Sequence, residues 1–357
     1  MEMEIIDLHY EKRPIKLKQP FITALRKVTQ IDVVDVCIEL KNGIRGRGSA
    51  ASTLKITGES LDGIQEIINQ ALKPAVVHQG IQQLTHVITD MEKSCVGNSS
   101  AKAAVEIALY DAYCQYYDIP LYSLLGGQIH SLETDMTVSI DQPEMMQKEA
   151  LKRVSEGFAI LKLKVGNDEK LDFKRIQRIY EAVGDDILLR LDANQGWSKK
   201  QAVNIIRQLE QDQMGIELIE QPVPAGDIEG LKYIRDRVTT PIMADESVFS
   251  PADAFRLLEM EAVDMLNIKL MKMGGIRHAW QIADLSEAAG IPCMIGSMME
   301  SVVSVTAAAH LAAAHPNITH YDLDAPLWMS NEPVKGGMTF EGRKIKLPEA
   351  SGIGIQT

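Results

Sequence analysis

The stretch "GFAILKLKVGND", residues 157–168, alternates Leu161, Leu163 and Val165 with Lys162 and Lys164. Successive side chains of a strand point to opposite faces, so the three apolar residues share one face and both lysines the other. In an isolated antiparallel sheet such a strand would hold its lysines in water. The rest of the chain argues otherwise. From residue 133 on, short apolar runs recur, each ending on a polar residue: "ETDMTVSI", "ILKLKVG", "ILLRLDANQG", "IELIEQP", "PIMADES", "DMLNIKL", "PCMIGSM" and "ITHYDLDAP". Thr137, Lys164, Asp192, Glu220, Asp245, Lys269, Ser297 and Asp322 mark those ends, roughly 26 residues apart. Segments of helical periodicity such as "KLDFKRIQRIYEAVG" and "SKKQAVNIIRQLEQ" lie between them, which is the length one strand, helix and return strand needs. Ser198 and Ser250 stand where helix N-caps fall, with Pro251 at the next position. The pattern predicts an α/β fold, a modified (β/α)8 TIM-type barrel over residues 131–327. Helices cover the outside of such a barrel and its inside is packed, so both lysines of "LKLKV" point inward. The marked polar residues then gather at the carboxyl ends of the strands, where the active sites of these barrels lie.

Residues 1–130 do not follow this period. "IDVVDVCIEL" alternates as a half-buried strand, "KNG" reads as a hairpin turn into "IRGRGSA", and residues 59–73, 80–95 and 99–117 read as helices, the last with Ser99 as its N-cap. This predicts a smaller N-terminal α+β capping domain, completed by residues from about 328 to 357. The glycines of "GIRGRG" lack the strand, helix and downstream acid of a dinucleotide site, so they are assigned to turn geometry. "SVVSVTAAAHLAAA" is too short for a membrane span, is rich in small residues and carries His310, which predicts a buried helix.

Composition narrows the function. A net charge of −12 over 357 residues leaves no basic face for nucleic acid or an anionic membrane, so neither is expected as a partner. The four cysteines (Cys37, Cys95, Cys114, Cys293) are far apart and form no CxxC pair, which points to a reducing compartment and away from a thiolate metal site. "MEMEIIDLHYEKRPI" shows no basic segment leading into an apolar run, so a cytoplasmic protein without a secretory signal is expected.

Asp192, Glu220 and Asp245 end the third, fourth and fifth strands of the count. Three carboxylates converging in one barrel mouth repel one another unless a cation sits among them. All-oxygen ligands without His or Cys favour a hard ion, and a site that keeps positions open for substrate suits Mg²⁺. Lys164 and Lys269 end the second and sixth strands, on opposite sides of that ion. Lysine serves as a base only when its pKa is lowered, which desolvation and neighbouring cations do. Removing a proton next to a carboxylate puts two negative charges on one group, and a metal bound to its oxygens stabilises that enediolate. Two lysines allow one to remove the proton and the other to return it from behind, inverting the carbon. Lys272 competes for the second role, but three residues past Lys269 it should be leaving the strand.

The motifs "KLKVG", "LDANQGW", "EQP", "ADES" and "NIKLMKMGG" resemble those of the enolase superfamily, muconate-lactonizing branch, over nearly the whole chain. Within it, "TALRKVT", "GSMMES" and "HYDLDAP" look most like dipeptide epimerases of the alanine–glutamate type. The resemblance implies 1,1-proton transfer at the α-carbon of the C-terminal residue of a dipeptide such as L-Ala-D/L-Glu, in the recycling of cell-wall (murein) peptides, by a homo-oligomer. It implies that Asp322 and Asp324, two apart on one strand and hence on one face, bind the α-ammonium of the first residue. It implies that Arg26, in a loop of the first domain, pairs with the glutamate side chain, a bidentate match a hydrophobic substrate would not need. By the same carry-over Lys162 contacts the substrate carboxylate and helps lower the pKa of Lys164, while Thr137, Ser297 and Met299 line the mouth. Muconate cycloisomerisation, o-succinylbenzoate formation and N-acylamino-acid racemisation would use the same lysines and metal, but their substrates offer no ammonium for the acid pair. A non-catalytic binding barrel is the alternative from another class.

Overall fold

The structure, a computed structural model, describes residues 3–128 and 132–356. The chain opens with an antiparallel sheet of β1 (Ile5–Ile22), β2 (Lys27–Leu40) and β3 (Arg45–Ala51), with β2 in the centre. The alternation of "IDVVDVCIEL" separates two cores. Ile31 and Val33 pack into the large core shared with the barrel, whereas Val34, Val36, Ile38 and Leu40 pack into a second core under the helices. The strand is therefore buried on both faces, not half-buried, because each face of this sheet has its own cover. The "KNG" turn forms as expected, with Gly43 at φ +89° and the Leu40 N–H donating to the Ile44 carbonyl at 2.9 Å.

Two glycines expected in turns do something else. Gly46 and Gly48 lie within β3 and let the long helix Ser99–Tyr116 pack directly on the strand. A Cβ on Gly48 would come 1.9 Å from the Ala104 carbonyl oxygen, and one on Gly46 2.1 Å from that of Ala108. Backbone cannot yield as a flexible side chain does, so Gly48→Ala should destabilise the fold by about 1–3 kcal/mol or more. Chemical denaturation checks this, with Gly43→Ala showing the separate cost of a positive-φ turn.

The helices fall near the expected ranges. One begins at Leu61, capped by the Ser60 hydroxyl, and continues through a π turn, Ile68–Leu72, to Val76; a short 3₁₀ turn leads into Leu84–Lys93. The cap of the third differs. Asn98 is the N-cap residue and makes no side-chain capping bond, and it is the buried Glu59 carboxylate that accepts from Ser100 N (2.9 Å) and Ala101 N (3.1 Å). Buried helix-end amides need an acceptor, and this helix takes one from elsewhere in the chain.

After β4 (Leu132–Glu133) come eight parallel strands, β5 (Met136–Val138), β6 (Ile160–Lys164), β7 (Leu188–Asp192), β8 (Ile216–Glu220), β9 (Ile242–Ala244), β10 (Met265–Ile268), β11 (Cys293–Gly296) and β12 (Ile318–Asp322), hydrogen-bonded in sequence order. Asp135 N donates to Tyr321 O at 3.2 Å and draws the two ends together into a barrel. Ser198 and Ser250 cap the helices that start at Lys199 and Pro251, Ser198 in a reciprocal capping box with Gln201. The helix Val302–Ala312 is buried, and His310 Nδ1 accepts from Tyr122 N at 3.1 Å; burial holds the imidazole neutral, its pKa down to about 3. Among the described residues no helix is long and apolar enough to cross a membrane.

The C-terminal segment turns back on the earlier chain. The hairpin β13 (Thr339–Glu341) and β14 (Lys344–Lys346) adds to β4, and Gly352 exchanges backbone hydrogen bonds with Leu121 and Ile119, each at 2.9 Å. The expected domain boundary at residues 130 and 131 lies outside the described residues.

One buried acid joins the long helix to the barrel. Glu106 accepts from Arg277 N at 2.7 Å, and burial pushes its carboxyl up to about 8. A carboxyl with a higher pKa folded than unfolded binds its proton more tightly in the native state, so stability falls as pH rises from about 4.5 through about 8. Glu106→Gln should show a flatter dependence of melting temperature on pH over that window, a difference that differential scanning calorimetry of the two proteins measures.

Candidate active site

The marked polar residues meet at one end of the barrel. Lys164, Asp192, Glu220 and Asp322 are the last residues of β6, β7, β8 and β12, Thr137 lies in β5, and Asp245, Lys269 and Ser297 follow β9, β10 and β11 by one residue. Asp324 departs from expectation. It lies past the end of β12 with φ −80° and ψ −7°, at the start of the short helix Ala325–Trp328, so the acids do not share a strand face. Its Oδ2 accepts instead from Thr137 N (2.8 Å) and Trp328 Nε1 (3.0 Å).

Why "LKLKV" stops at a glycine is visible here. Gly166 has φ +105°, and a Cβ on it would come 2.2 Å from Ala193 O; one on Gly196 would come 2.1 Å from Gly166 O. The loops that follow Lys164 and Asp192 are thus pressed backbone to backbone. Buried Asp172 clamps them, its Oδ2 accepting from Gly166 N (2.8 Å) and Trp197 Nε1 (3.0 Å), its Oδ1 from Arg175 (2.8 Å). Local loop packing fixes the direction of both strand-end side chains.

Lysines and acids interleave inside the barrel. Lys162 is fully buried, with its Nζ 3.2 Å from Asp192, 2.6 Å from Glu220 and 2.7 Å from Asp322. Lys164 reaches Asp192 at 2.6 Å, Lys269 reaches Asp245 at 2.7 Å and Glu220 at 3.9 Å, and Lys272 reaches Asp245 Oδ1 at 2.6 Å. Lys272 has left the strand, as its spacing suggested, and also bonds the carbonyls of Asp245 and Asn267. Burial pushes the Glu220 carboxyl up to about 7, and the neighbouring Asp192 adds to that rise. The expected lowering of the lysine base is reversed at Lys269. Burial disfavours its charge, but Asp245 and Glu220 more than offset this, so its pKa is raised.

The donor set suits a hard divalent ion. Asp192, Glu220 and Asp245 offer only carboxylate oxygens and are almost wholly buried, and Glu220 Oε2 and Asp245 Oδ1 lack a hydrogen bond of proper geometry although a lysine ammonium lies 2.6 Å from each. Buried anionic oxygens without a directed donor are what a cation satisfies. The three carboxylates do not draw within 4.8 Å of one another; among the described residues the group that does is Asp284, Glu287 and His315. Repulsion keeps like charges apart, and ammonium groups stand among them.

Above this layer is a cavity lined by Lys164, Lys269, Thr137, Ser297, Met299, Asp322, Asp324 and Arg26. Eight of the twelve residues singled out in the sequence therefore face one space. Lys162, Asp192, Glu220 and Asp245 do not line it and lie buried below. Burial lowers the pKa of the Arg26 guanidinium, and among the described residues no acid pairs with it. The β1–β2 turn positions Arg26 by a hydrogen bond from Thr23 N to its carbonyl at 3.0 Å and another from its own N–H to Thr23 Oγ1 at 3.3 Å. Sequence reasoning missed Phe21, Leu25, Ile56, Met298 and Asn194, which line the same cavity. Asn194 stands inside "LDANQGW", Leu25 inside "TALRKVT" and Met298 beside Met299; Phe21 and Ile56 carry no signal of their own.

A parallel barrel with acids at the ends of its third to fifth strands and lysines at those of its second and sixth is matched, together with the N-terminal sheet and helices, by two family models of the enolase superfamily. Residues 145–357 match the family model "Enolase C-terminal domain-like", and residues 5–126 match "Mandelate racemase / muconate lactonizing enzyme, N-terminal domain". The chain belongs to the mandelate racemase/muconate lactonizing enzyme family. Over 354 residues it is 47% identical to the L-Ala-D/L-Glu epimerase of Clostridium acetobutylicum, covering 99% of each chain. Its fold matches a substrate-liganded complex of the L-Ala-D/L-Glu epimerase from Bacillus subtilis with a TM-score of 0.98 at 47% identity, covering 99% of both chains. It matches the dipeptide epimerase of Enterococcus faecalis complexed with Mg and L-Leu-L-Tyr with a TM-score of 0.96 at 44% identity, covering 99% of this chain and 100% of that one.

Proposed function

We propose that this chain is a Mg²⁺-dependent isomerase, a dipeptide epimerase that interconverts L-Ala-D-Glu and L-Ala-L-Glu by moving the glutamyl α-proton. The observation that carries the reading is the content of one cavity: two lysines at the ends of β6 and β10, which stand opposite in an eight-strand ring, two acids, and an arginine with no acid of its own among the described residues. Asp192, Glu220 and Asp245 would hold the ion. When bound, Mg²⁺ supplies positive charge to the substrate carboxylate and offsets the carboxylate field that raises Lys269. Lys164 takes the α-proton from one face, and Lys269 delivers a proton from the other. The reverse reaction exchanges their roles. Asp322 and Asp324 receive the α-ammonium and Arg26 the glutamate side chain. Lys162 meets the substrate carboxylate by turning its Nζ away from the acids it now bridges. Thr137, Ser297 and Met299 wall the space.

A division near residue 130, with residues 328–357 completing the first domain, is supported by the bonds of Gly352 to Leu121 and Ile119 and by Ser330 N donating to Lys16 O, whereas β13 and β14 join β4 on the barrel side of that division. The reaction suits a cytoplasmic homo-oligomer that recycles murein peptides, with no nucleic acid or membrane partner; widely spaced cysteines and the acidic net charge of −12 support that setting. Proton NMR in D₂O tests the reaction. With Mg²⁺ the glutamyl α-proton of either epimer should wash out while the other epimer appears, and a chelator should stop both. Persistence of the α-proton in both epimers would refute the proposal.

A further inference from the structure

The seam where the barrel closes is also the segment that carries Asp322 and Asp324. β5 and β12 share no strand ladder among the described residues, and side chains do much of the joining. Asp135 N donates to Tyr321 O (3.2 Å), Leu323 N donates to Thr134 Oγ1 (2.9 Å), and Thr137 N donates to Asp324 Oδ2 (2.8 Å). Arg190 ties this seam to the barrel interior. It lies on β7 two residues before Asp192, one layer deeper and nearly wholly buried. Its guanidinium donates to Asp135 Oδ2 (2.8 Å), to the Tyr321 carbonyl (3.3 Å) and to Glu217 Oε2 (2.5 Å). Asp135 Oδ1 is buried without a hydrogen-bond partner; burial and Asp322 push this carboxyl well above the usual range, and Arg190 is the nearest cation that opposes them.

β11 holds the other edge of β12 by a parallel ladder that runs to Asp322; on the β5 side a few contacts centred on Tyr321, Leu323 and Asp324 fasten the stretch on which the two acids ride. We propose that Arg190, with Asp135 and Thr134, is a positioning device for the ammonium subsite: it sets where Asp322 and Asp324 stand and so tunes selection of a free amino terminus. Neither Arg190 nor Thr134 lines the cavity, so each acts through other residues. The inference rests on the proposed role of the acid pair.

Arg190→Lys keeps the charge but cannot span Asp135, Glu217 and Tyr321 at once. Thr134→Val keeps the shape and removes the acceptor for Leu323 N, and serves if the arginine variant fails to fold. Steady-state kinetics of both would be measured on L-Ala-D-Glu and on its N-acetyl derivative. For the free dipeptide KM should rise about tenfold or more with kcat within about twofold, and the preference over the acetylated substrate should shrink by a similar factor. Unchanged KM and preference in a folded variant, or a fall confined to kcat, would overturn the inference. Wild-type enzyme that turns over both substrates equally would instead remove the acid pair's role, and the inference with it.

Discussion

Lys164→Ala and Lys269→Ala should each abolish epimerisation, lowering kcat by about a hundredfold to ten-thousandfold, the range expected when a positioned acid or base is removed. The two losses should not be alike. Each lysine faces one side of the α-carbon, so each variant should still exchange the α-proton of the epimer that presents it to the remaining lysine. In D₂O one variant would label only L-Ala-D-Glu and the other only L-Ala-L-Glu. Exchange of both epimers by either variant would mean that one lysine serves both faces. Lys272→Ala should differ from both. Lys272 lies off the cavity and bonds Asp245 and its surroundings, so its loss should weaken Mg²⁺ binding, with epimer-selective exchange absent.

Arg26→Ala should have the second largest effect. The guanidinium faces the cavity with no acid beside it among the described residues, and a dipeptide's glutamate would supply one. Leaving a buried carboxylate unpaired costs about 2–5 kcal/mol, which is about thirtyfold to several thousandfold in kcat/KM. The loss should fall on L-Ala-D-Glu and spare a dipeptide such as L-Ala-L-Leu, whose side chain would meet Leu25 and Ile56 instead. Equal kcat/KM for wild type and variant on the glutamyl dipeptide would leave the proton chemistry standing and remove the substrate assignment.

The barrel was legible because its period is long-range and regular. Eight apolar runs at near-constant spacing, each ending in a charge or hydroxyl, fit few other folds, and the residues marked from that spacing all stand at or near strand ends. What depended on a single position read less well. Gly46 and Gly48 look like turn glycines, and only the approach of Ala104 and Ala108 from a distant helix shows that they make room for packing. A spacing of two makes Asp324 look like the strand mate of Asp322, but β12 ends at Asp322 and the chain turns into a short helix. Ser99 looks like a cap, yet the capping carboxylate is that of Glu59, 41 residues before the Ser100 amide it accepts from. The raised pKa of Lys269 depends on which acids lie within reach, and spacing along the chain does not give that distance. Arg190 and Asp135 are invisible for the same reason, since a buried pair that joins β7 to the residue before β5, two strands away, leaves no local pattern.

A crystal structure of the enzyme with Mg²⁺ and L-Ala-D-Glu tests the central assignment most directly. The expected result is one ion about 2.0–2.1 Å from oxygens of Asp192, Glu220 and Asp245, with Lys164 and Lys269 on opposite faces of the glutamyl α-carbon. Both amines on one face, or an ion that leaves these three acids for another group such as Asp284, Glu287 and His315, would contradict it.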